Sequence, residues 1–471
     1  MVAPQIVRRA EGPRRNGDVS FWYAGLGVPE PRDPLPGDRA ADVCIVGGGF
    51  TGLWTAYELK RAQPALDVVV LEAEFAGFGA SGRNGGWLSN SFAAAPAAVA
   101  RMHGRAGVHA LHRAMKDTVD EVIAVCARER IEADIVKGGM LHVARNPAQL
   151  RRVHAHVAEE RAWDVDEHDL AALDGPALAE RVRVAGGVGA TWSPHAARVQ
   201  PAKLVRGLAD AVERLGVPIY ERTRVREIRP GAALTDRGTV RARHVLRCLE
   251  GFTAGLAGER RTWLPLNSAM VVTEPLSDAA WEEIGWEGAE VLGDSAHAYV
   301  YAQRTADGRI ALGGRGVPYR FGSRWDERGA TQPRTIAQLT AALHARFPAT
   351  RSAALEHAWC GVLGVPRDWF PAVRLDPATG LGAAGGYVGH GVATSNLAGR
   401  TLCDLVLGRE SELTRLPWVG HRARRWEPEP LRWIGARAVY GLYRAADRRE
   451  ATSGRPRTSA LARAADLLSG R

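Results

Sequence analysis

The chain is short of lysine, of cysteine and of long apolar runs, and each shortage closes off a class of protein. Lys60, Lys116, Lys137 and Lys203 are its only lysines among 62 basic residues, so the net charge of +10 is carried by arginine. A basic balance invites a nucleic-acid reading. Here the arginine skew runs through the whole chain as a compositional bias does, and no nucleic-acid-binding motif accompanies it. No apolar run approaches the roughly 18 residues that a spanning helix needs. The opening MVAPQIVRRAEGPRRNG has no apolar segment of the signal-peptide kind. Cys44, Cys126, Cys248, Cys360 and Cys403 are scattered without C-x-x-C or metal-ligand spacing. These features together predict a cytoplasmic protein without a transmembrane segment. His103, His109 and His112 lie close in sequence but lack further ligand types nearby, so no metal site is expected. With 471 residues, 46% hydrophobic and 24% charged, the chain has the composition of a globular protein and room for two or three domains.

What is present is concentrated in residues 41–86. Val43 to Val46 reads as a buried strand. Gly47-x-Gly49-x-x-Gly52 follows and opens a helical pattern that includes Phe50 and Thr51 and runs to about Arg61, before Pro64 stops it. A second apolar run, Val68 to Leu71, ends in Glu72. This order is that of a dinucleotide site: a tight turn at Gly47, backbone approach to a pyrophosphate at Gly49, and close helix–strand packing at Gly52. A helix N-terminus offers N–H groups and a favourable dipole to phosphate. Glu72, 20 residues beyond Gly52, stands where a carboxylate takes ribose hydroxyls, which argues against a 2′-phosphate and leaves NAD or FAD.

The next stretch is Gly77-Phe78-Gly79-Ala80-Ser81-Gly82-Arg83-Asn84-Gly85-Gly86. Such glycine density lets main chain approach a flat ligand, and Arg83 brings a fixed cation suited to phosphate or carboxylate. Over this run the chain resembles the FAD-dependent D-amino-acid oxidase superfamily, in particular its gamma-glutamylputrescine oxidoreductase-like branch, across about residues 20–410. The resemblance implies an α/β fold: an FAD-binding Rossmann-like domain of the glutathione-reductase type with an inserted β-rich α+β substrate domain. It implies FAD as cofactor, wrapped by Ala80, Ser81, Arg83, Asn84, Gly85 and Gly86, with Val225 meeting the adenine through its backbone. The expected divisions are an N-terminal extension at 1–37, cofactor-domain pieces at 38–104, 190–263 and 355–410, substrate-domain pieces at 105–189 and 264–354, and a basic helical tail at 411–471.

Residues 1–19 are expected to be disordered or draped on the surface, with Phe21-Trp22-Tyr23 as the first anchor, packed on the cofactor domain. Further along, apolar spacing predicts a helix over 105–128, a strand–turn–strand over 131–143 around Gly138-Gly139, and polar helix over 147–183 cut by Gly175-Pro176. Helices are predicted over 201–215 and 333–347 and strands over 218–221, 224–228, 268–273, 298–303 and 309–312, with two strands in 240–249. At 248–251 the superfamily has an alanine-threonine-glycine-like turn, whereas this chain reads Cys248-Leu249-Glu250-Gly251. Tyr301 is the expected substrate-facing residue of the β-rich layer. Tyr299 shares its strand face, and Arg304 points the other way. Gly293-Asp294-Ser295-Ala296-His297 imitates a flavin-hydroxylase motif, but strand rather than helix follows it. The position at which some relatives attach flavin to cysteine falls on Gly361, so FAD is expected to be non-covalent.

The stretch GLGAAGGYVGHGVATSNLAGR, 380–400, is the other landmark, with a helix predicted to begin near Thr394 or Ser395. The resemblance places Gly389, Gly391, Val392, Ala393 and Thr394 at the flavin pyrimidine, where loop N–H groups and a helix N-terminus stabilise the charge left by reduction. Sarcosine-type relatives carry lysine where this chain has Ala393. His390 is a candidate catalytic group or a structural partner. In the tail, Leu431, Ile434, Ala438, Leu442 and Ala445 form a stripe expected to dock on the cofactor domain. The implied reaction is oxidation of an amine or amino acid by hydride transfer to flavin N5, with oxygen or another electron acceptor. A dehydrogenase serving a quinone or protein acceptor, and a biosynthetic flavoenzyme on an unusual substrate, remain open.

Overall fold

The computed structural model describes residues 12–314 and 318–470, and two sheets organise them. The smaller is built on five parallel strands in the order Ile219–Tyr220, Val68–Leu71, Arg39–Val46, Thr239–Arg247, Leu381–Gly385. Val43–Val46 and Val68–Leu71 are buried throughout, as parallel strands covered on both faces must be. The helices Phe50–Ala62, Pro96–Glu129, Pro201–Arg214 and Gly391–Val406 share one apolar core with this sheet. An antiparallel hairpin, Val225–Arg229 with Ala232–Thr235, extends the edge.

The larger sheet has nine strands, in the order Arg15–Asn16, Leu355–Val365, Leu264–Thr273, Ile310–Gly314, Val300–Arg304, Val291–Asp294, Met140–Ala144, Gly189–Ser193, Ala171–Asp174. Its core lies against the helices Gly175–Arg181 and Pro333–Arg346, with Trp286 stacked on Phe347 at 5.7 Å. A third, two-stranded sheet, Trp87–Ser89 with Ala196–Arg198, lies between in sequence.

Several expectations change. Gly189–Ser193 pairs with Met140–Ala144, and Leu355–Val365 pairs along its length with Leu264–Thr273. Both therefore belong to the larger sheet, although residues from 190 and from 355 were expected in the cofactor portion. Strand propensity says nothing about which sheet receives a strand. The span 131–143 holds one strand, Met140–Ala144, and 240–249 a single strand, Thr239–Arg247. The helix expected over 105–128 is present, and a shorter one from Pro96 precedes it across a break at Gly104, whose φ of +65° is left-handed. Within 147–183 a strand, Ala171–Asp174, separates two helices. Residues 1–11 lie outside the described residues. Arg15–Asn16, expected to be loose, instead pairs with His357–Ala358. Trp22 and Tyr23 are buried as expected, and they pack behind the 77–86 loop: Ser20 Oγ donates to the Gly82 carbonyl at 2.7 Å and Trp22 Nε1 to that of Asn84 at 2.8 Å.

The tail also docks differently. Leu431 and Ile434 are 59% and 51% exposed, whereas Arg432, Val439, Tyr443, Ala446 and Glu450 form the buried face of the helix Leu431–Ser453. The inward residues include polar ones with dedicated partners, which an apolar stripe cannot reveal. Asp447 accepts from the backbone N–H groups of His297 and Ala298, and Glu450 accepts from Arg152 at 2.8 Å and the Ser459 N–H at 2.8 Å, beside His297 Nε2 at 3.0 Å. The tail thus seats on the larger sheet's loops, and the 293–297 segment is its receptor. His297, Asp447 and Glu450 lie close enough to suggest a metal group, but N–H donors already occupy their carboxylate oxygens.

Burial pushes the Glu450 carboxyl up, but the Ser459 N–H, Arg152 and His297 outweigh it and hold it below the ordinary glutamate value. Its contribution is therefore present above the ordinary glutamate range and fades as pH falls through the lowered value. Glu450→Ala should cost about 3–5 kcal/mol, as removal of one partner of a buried ion pair does. Urea denaturation measures this, and limited proteolysis should cut the variant first between 431 and 459.

Candidate active site

The turn after Arg39–Val46 is set by backbone contact. A Cβ on Gly47, whose φ is +115°, would lie 2.5 Å from the Cys248 carbonyl oxygen, and one on Gly49 would lie 2.9 Å from Ser81 Oγ. The helix Phe50–Ala62 starts directly after Gly49, and its first N–H, of Phe50, donates to Ser81 Oγ at 2.8 Å. Thr51 Oγ1 and the Tyr387 hydroxyl are 3.0 Å apart, joining this helix to the loop before Gly391–Val406. Glu72 accepts from the N–H groups of Gly48 at 2.8 Å and Glu74 at 3.0 Å. Burial pushes its carboxyl up to about 7 against those two bonds. The remaining lone pairs are what a pair of ribose hydroxyls would use.

One cavity takes in Gly47, Gly49, Phe50, Thr51, Glu72, Ala80, Ser81, Asn84, Val225, Gly389, Gly391 and Val392. It thus joins the dinucleotide turn, the acid, the second glycine segment and the 389–392 loop, four features that lie apart in the sequence. The donor set fits FAD: a glycine-lined helix N-terminus for pyrophosphate, a carboxylate for ribose, and a second helix N-terminus for a ring that gains charge on reduction.

Other expected residues lie outside this wall. Gly52 packs against the Gly47 carbonyl and Ile45. Arg83 is buried, and its guanidinium donates to the carbonyls of Phe78 at 2.8 Å and Glu327 at 2.7 Å and stacks 4.4 Å from the Phe78 ring centroid. Burial lowers it to about 10. It fixes the loop from behind rather than facing a phosphate. Gly85 and Gly86 make room for Tyr301 and Gln303. Gly361 sits opposite Ser268 in the larger sheet and against Arg83, while its neighbours Val362 and Leu363 reach the cavity. Cys360 points its thiol at the Ala330 carbonyl, 3.4 Å away.

The helix begins at Gly391, earlier than the Thr394 or Ser395 start expected from capping preference, with His390 at the N-cap position and no side-chain cap bond. Ala393 and Thr394 are buried inside that helix, with Thr394 Oγ1 donating to the His390 carbonyl at 2.7 Å. His390 is half-buried between two cavity residues, Gly389 and Gly391. Tyr301 hydrogen-bonds with Ser268 Oγ at 2.8 Å, and its ring meets Trp87 edge-on at 6.2 Å. The cavity wall also includes Glu250, Phe252, Trp325, Leu363 and Tyr387, none of them expected. The departure at 248–251 and the tyrosine inside 380–400 were the available signals.

A second cavity, of about 790 Å³, lies between the helix Pro96–Glu129 and the larger sheet. His112, His142 and His156 line it, each held below the ordinary histidine value by burial, His142 at about 4. Asp169, also on this wall, lies 2.5 Å from Lys116 Nζ and 2.6 Å from His195 Nε2. Met115 on its wall receives Thr394 Oγ1, from the helix whose start lines the first cavity, at 4.0 Å, and His142 meets Trp87, next to the 77–86 loop, edge-on at 6.1 Å.

Residues 42–405 match the family described as FAD dependent oxidoreductase, DAO. The chain is 30% identical over 437 residues to the gamma-glutamylputrescine oxidoreductase of Escherichia coli (strain K12), covering 90% of this chain and 97% of that protein. It is 24% identical to the glycine oxidase of Geobacillus kaustophilus (strain HTA426), over 80% of this chain and 96% of that one. The crystal structure of glycine oxidase from Geobacillus kaustophilus shares the fold with a TM-score of 0.68 at 21% identity, over 81% of this chain and 99% of that chain. L-proline dehydrogenase from P. horikoshii shares it with a TM-score of 0.65 at 17% identity, over 82% and 98%. The two-sheet architecture is therefore the Rossmann-like cofactor fold with a β-rich second portion. With the glycine turn, Glu72 and the 389–392 helix start gathered on one cavity, the chain belongs to the DAO family of FAD-dependent oxidoreductases.

Proposed function

We propose that the protein oxidises the C–N bond of a small amine or amino acid. Bound FAD would supply the redox chemistry, accepting a hydride at N5 from the carbon beside nitrogen and passing the two electrons to oxygen, which would become hydrogen peroxide, or to another acceptor, while water would hydrolyse the imine product. The observation that carries this reading is the meeting of the dinucleotide turn and the first turn of Gly391–Val406 on one cavity, next to a second cavity of substrate size. The relatives support it, since they include a gamma-glutamylputrescine oxidoreductase and a glycine oxidase.

The chain's own residues have three tasks. The N–H groups at Gly389–Val392 face the pyrimidine edge and offset charge there. The second cavity holds the amine on a wall that includes Phe92, Trp163 and the imidazoles of His112, His142 and His156. Against that part of the wall burial disfavours the ammonium and favours the uncharged amine, while the carboxylates of Glu160, Asp164, Asp169 and Asp368 on the same wall act the other way. His390, between the cavity residues Gly389 and Gly391, and Tyr301, which backs the 84–86 loop, are the two side chains to test for a direct role.

FAD is held without a covalent bond in this reading, since the Cys360 thiol turns towards the Ala330 carbonyl. Acid precipitation should release all yellow colour into the supernatant; flavin left on the polypeptide contradicts it. Turnover should rise with pH as the amine loses its proton, and a flat profile from pH 6 to 10 would count against neutral-amine binding. His390→Ala should slow anaerobic flavin reduction by amine at least about 100-fold if the imidazole moves a proton, the low end for general acid–base groups. An unchanged stopped-flow rate leaves His390 as the N-cap residue of its helix.

A further inference from the structure

Glu250 stands in the turn where this chain departs from its superfamily, and none of the functions above uses it. Its backbone is left-handed, φ +44°, an uncommon conformation for a residue with a side chain. Strain of that kind persists where the surroundings over-determine it. Here the surroundings are three backbone N–H groups. Glu250 Oε1 accepts from Gly364 at 3.1 Å and Tyr387 at 3.2 Å, and Oε2 accepts from Gly386 at 2.7 Å. Gly364 lies in the larger sheet, and Gly386 and Tyr387 follow the last parallel strand of the smaller one. The neighbouring backbone is shaped for this carboxylate: a Cβ on Gly364 would lie 3.1 Å from Oε2, and one on Gly385 would lie 2.7 Å from it. Glu250 also lines the cofactor cavity, and no side-chain cation accompanies it among the groups that bias its ionisation. It is therefore not half of an ion pair. It is an acceptor for three amides that converge from two sheets.

We propose that Glu250 is a positioning residue for the oxidation: by holding the Gly386 and Tyr387 amides against Gly364, it fixes the loop that presents the Gly389–Val392 N–H groups to the flavin. The inference rests on the reading that this helix start faces the pyrimidine edge. Tyr387 passes the constraint on, since its hydroxyl meets Thr51 Oγ1 in the first turn of the other helix that ends on the cavity. Burial pushes the Glu250 carboxyl up to about 7 against the three N–H bonds, so the measurement belongs above that pH, where the carboxylate is acceptor-only on both oxygens, as the three amides require. Glutamine would keep one acceptor and turn an NH₂ group towards an N–H donor.

The sign of one measurement separates positioning from a direct charge effect. Removing a negative charge near the flavin would by itself make the two-electron reduction potential more positive. Loosening the loop that stabilises the reduced, negatively charged ring makes it more negative. The Glu250→Gln holoprotein should show a potential lowered by at least a tenfold change in the oxidised-to-reduced equilibrium, 29.6 mV for a two-electron couple. Its 386–392 amides should exchange with deuterium faster than in the wild type. A positive shift overturns the proposal. Unchanged exchange overturns it through Glu250 itself, whereas faster exchange with an unchanged potential overturns it through the underlying reading of the helix start. If Glu250→Gln does not fold, exchange in the wild-type holoprotein decides: Gly364, Gly386 and Tyr387 amides protected together support the proposal, and exchange at the rate of an unstructured peptide overturns it.

Discussion

Two helix N-termini converge on one cavity, and the rest of the structure depends on the close packing that allows it. Phe50–Ala62 and Gly391–Val406 lie against each other without an intervening side chain at Gly399, where a Cβ would come within 2.7 Å of the Trp54 Cβ. At their starts the helices are joined by Thr51 and Tyr387. Helix dipoles pointing into one space repel each other unless something negative lies between them. An anionic cofactor such as FAD would offer negative charge to both starts.

The walls of that site are backbone to an unusual degree. Gly47 against the Cys248 carbonyl and Gly49 against Ser81 leave no room for a Cβ, so main chain forms the cavity wall there. Side chains that look functional in the sequence serve as struts behind it. Arg83 holds the carbonyls of Phe78 and Glu327, and Trp22 and Trp359 hold those of Asn84 and Arg83. A flat ligand needs a rigid, thin wall. Buttressing a glycine-rich loop with aromatic and arginine side chains on its far side provides one without bringing a Cβ towards the ligand.

The second cavity is different in kind, walled by side chains from a long helix, the larger sheet and, through Gly470, the end of the tail. The Ser469 carbonyl is fixed by Arg367 Nη1 and Trp369 Nε1, each at 3.1 Å. The tail therefore helps shape the space beside the cofactor cavity, although it lies beyond residue 405, where the family match ends.

The strand–turn–helix at 43–62, the acid at 72, the glycine loop at 77–86 and the family itself were legible in the sequence. Each is local: glycine spacing, apolar runs and one carboxylate act within a few tens of residues. The same holds for the 380–400 loop, although its helix starts at Gly391, without the hydroxyl cap that the sequence favours. What only the tertiary structure decided are contacts between distant segments. The sheet that receives 189–193 and 355–365, the buried face of the tail helix, and the inward turn of Arg83 are of this kind. Glu250 is the clearest case, since its three amide partners lie 114, 136 and 137 residues away. A carboxylate reads the same in a sequence whether water or three convergent N–H groups surround it. Only the packing of two sheets against each other determines which.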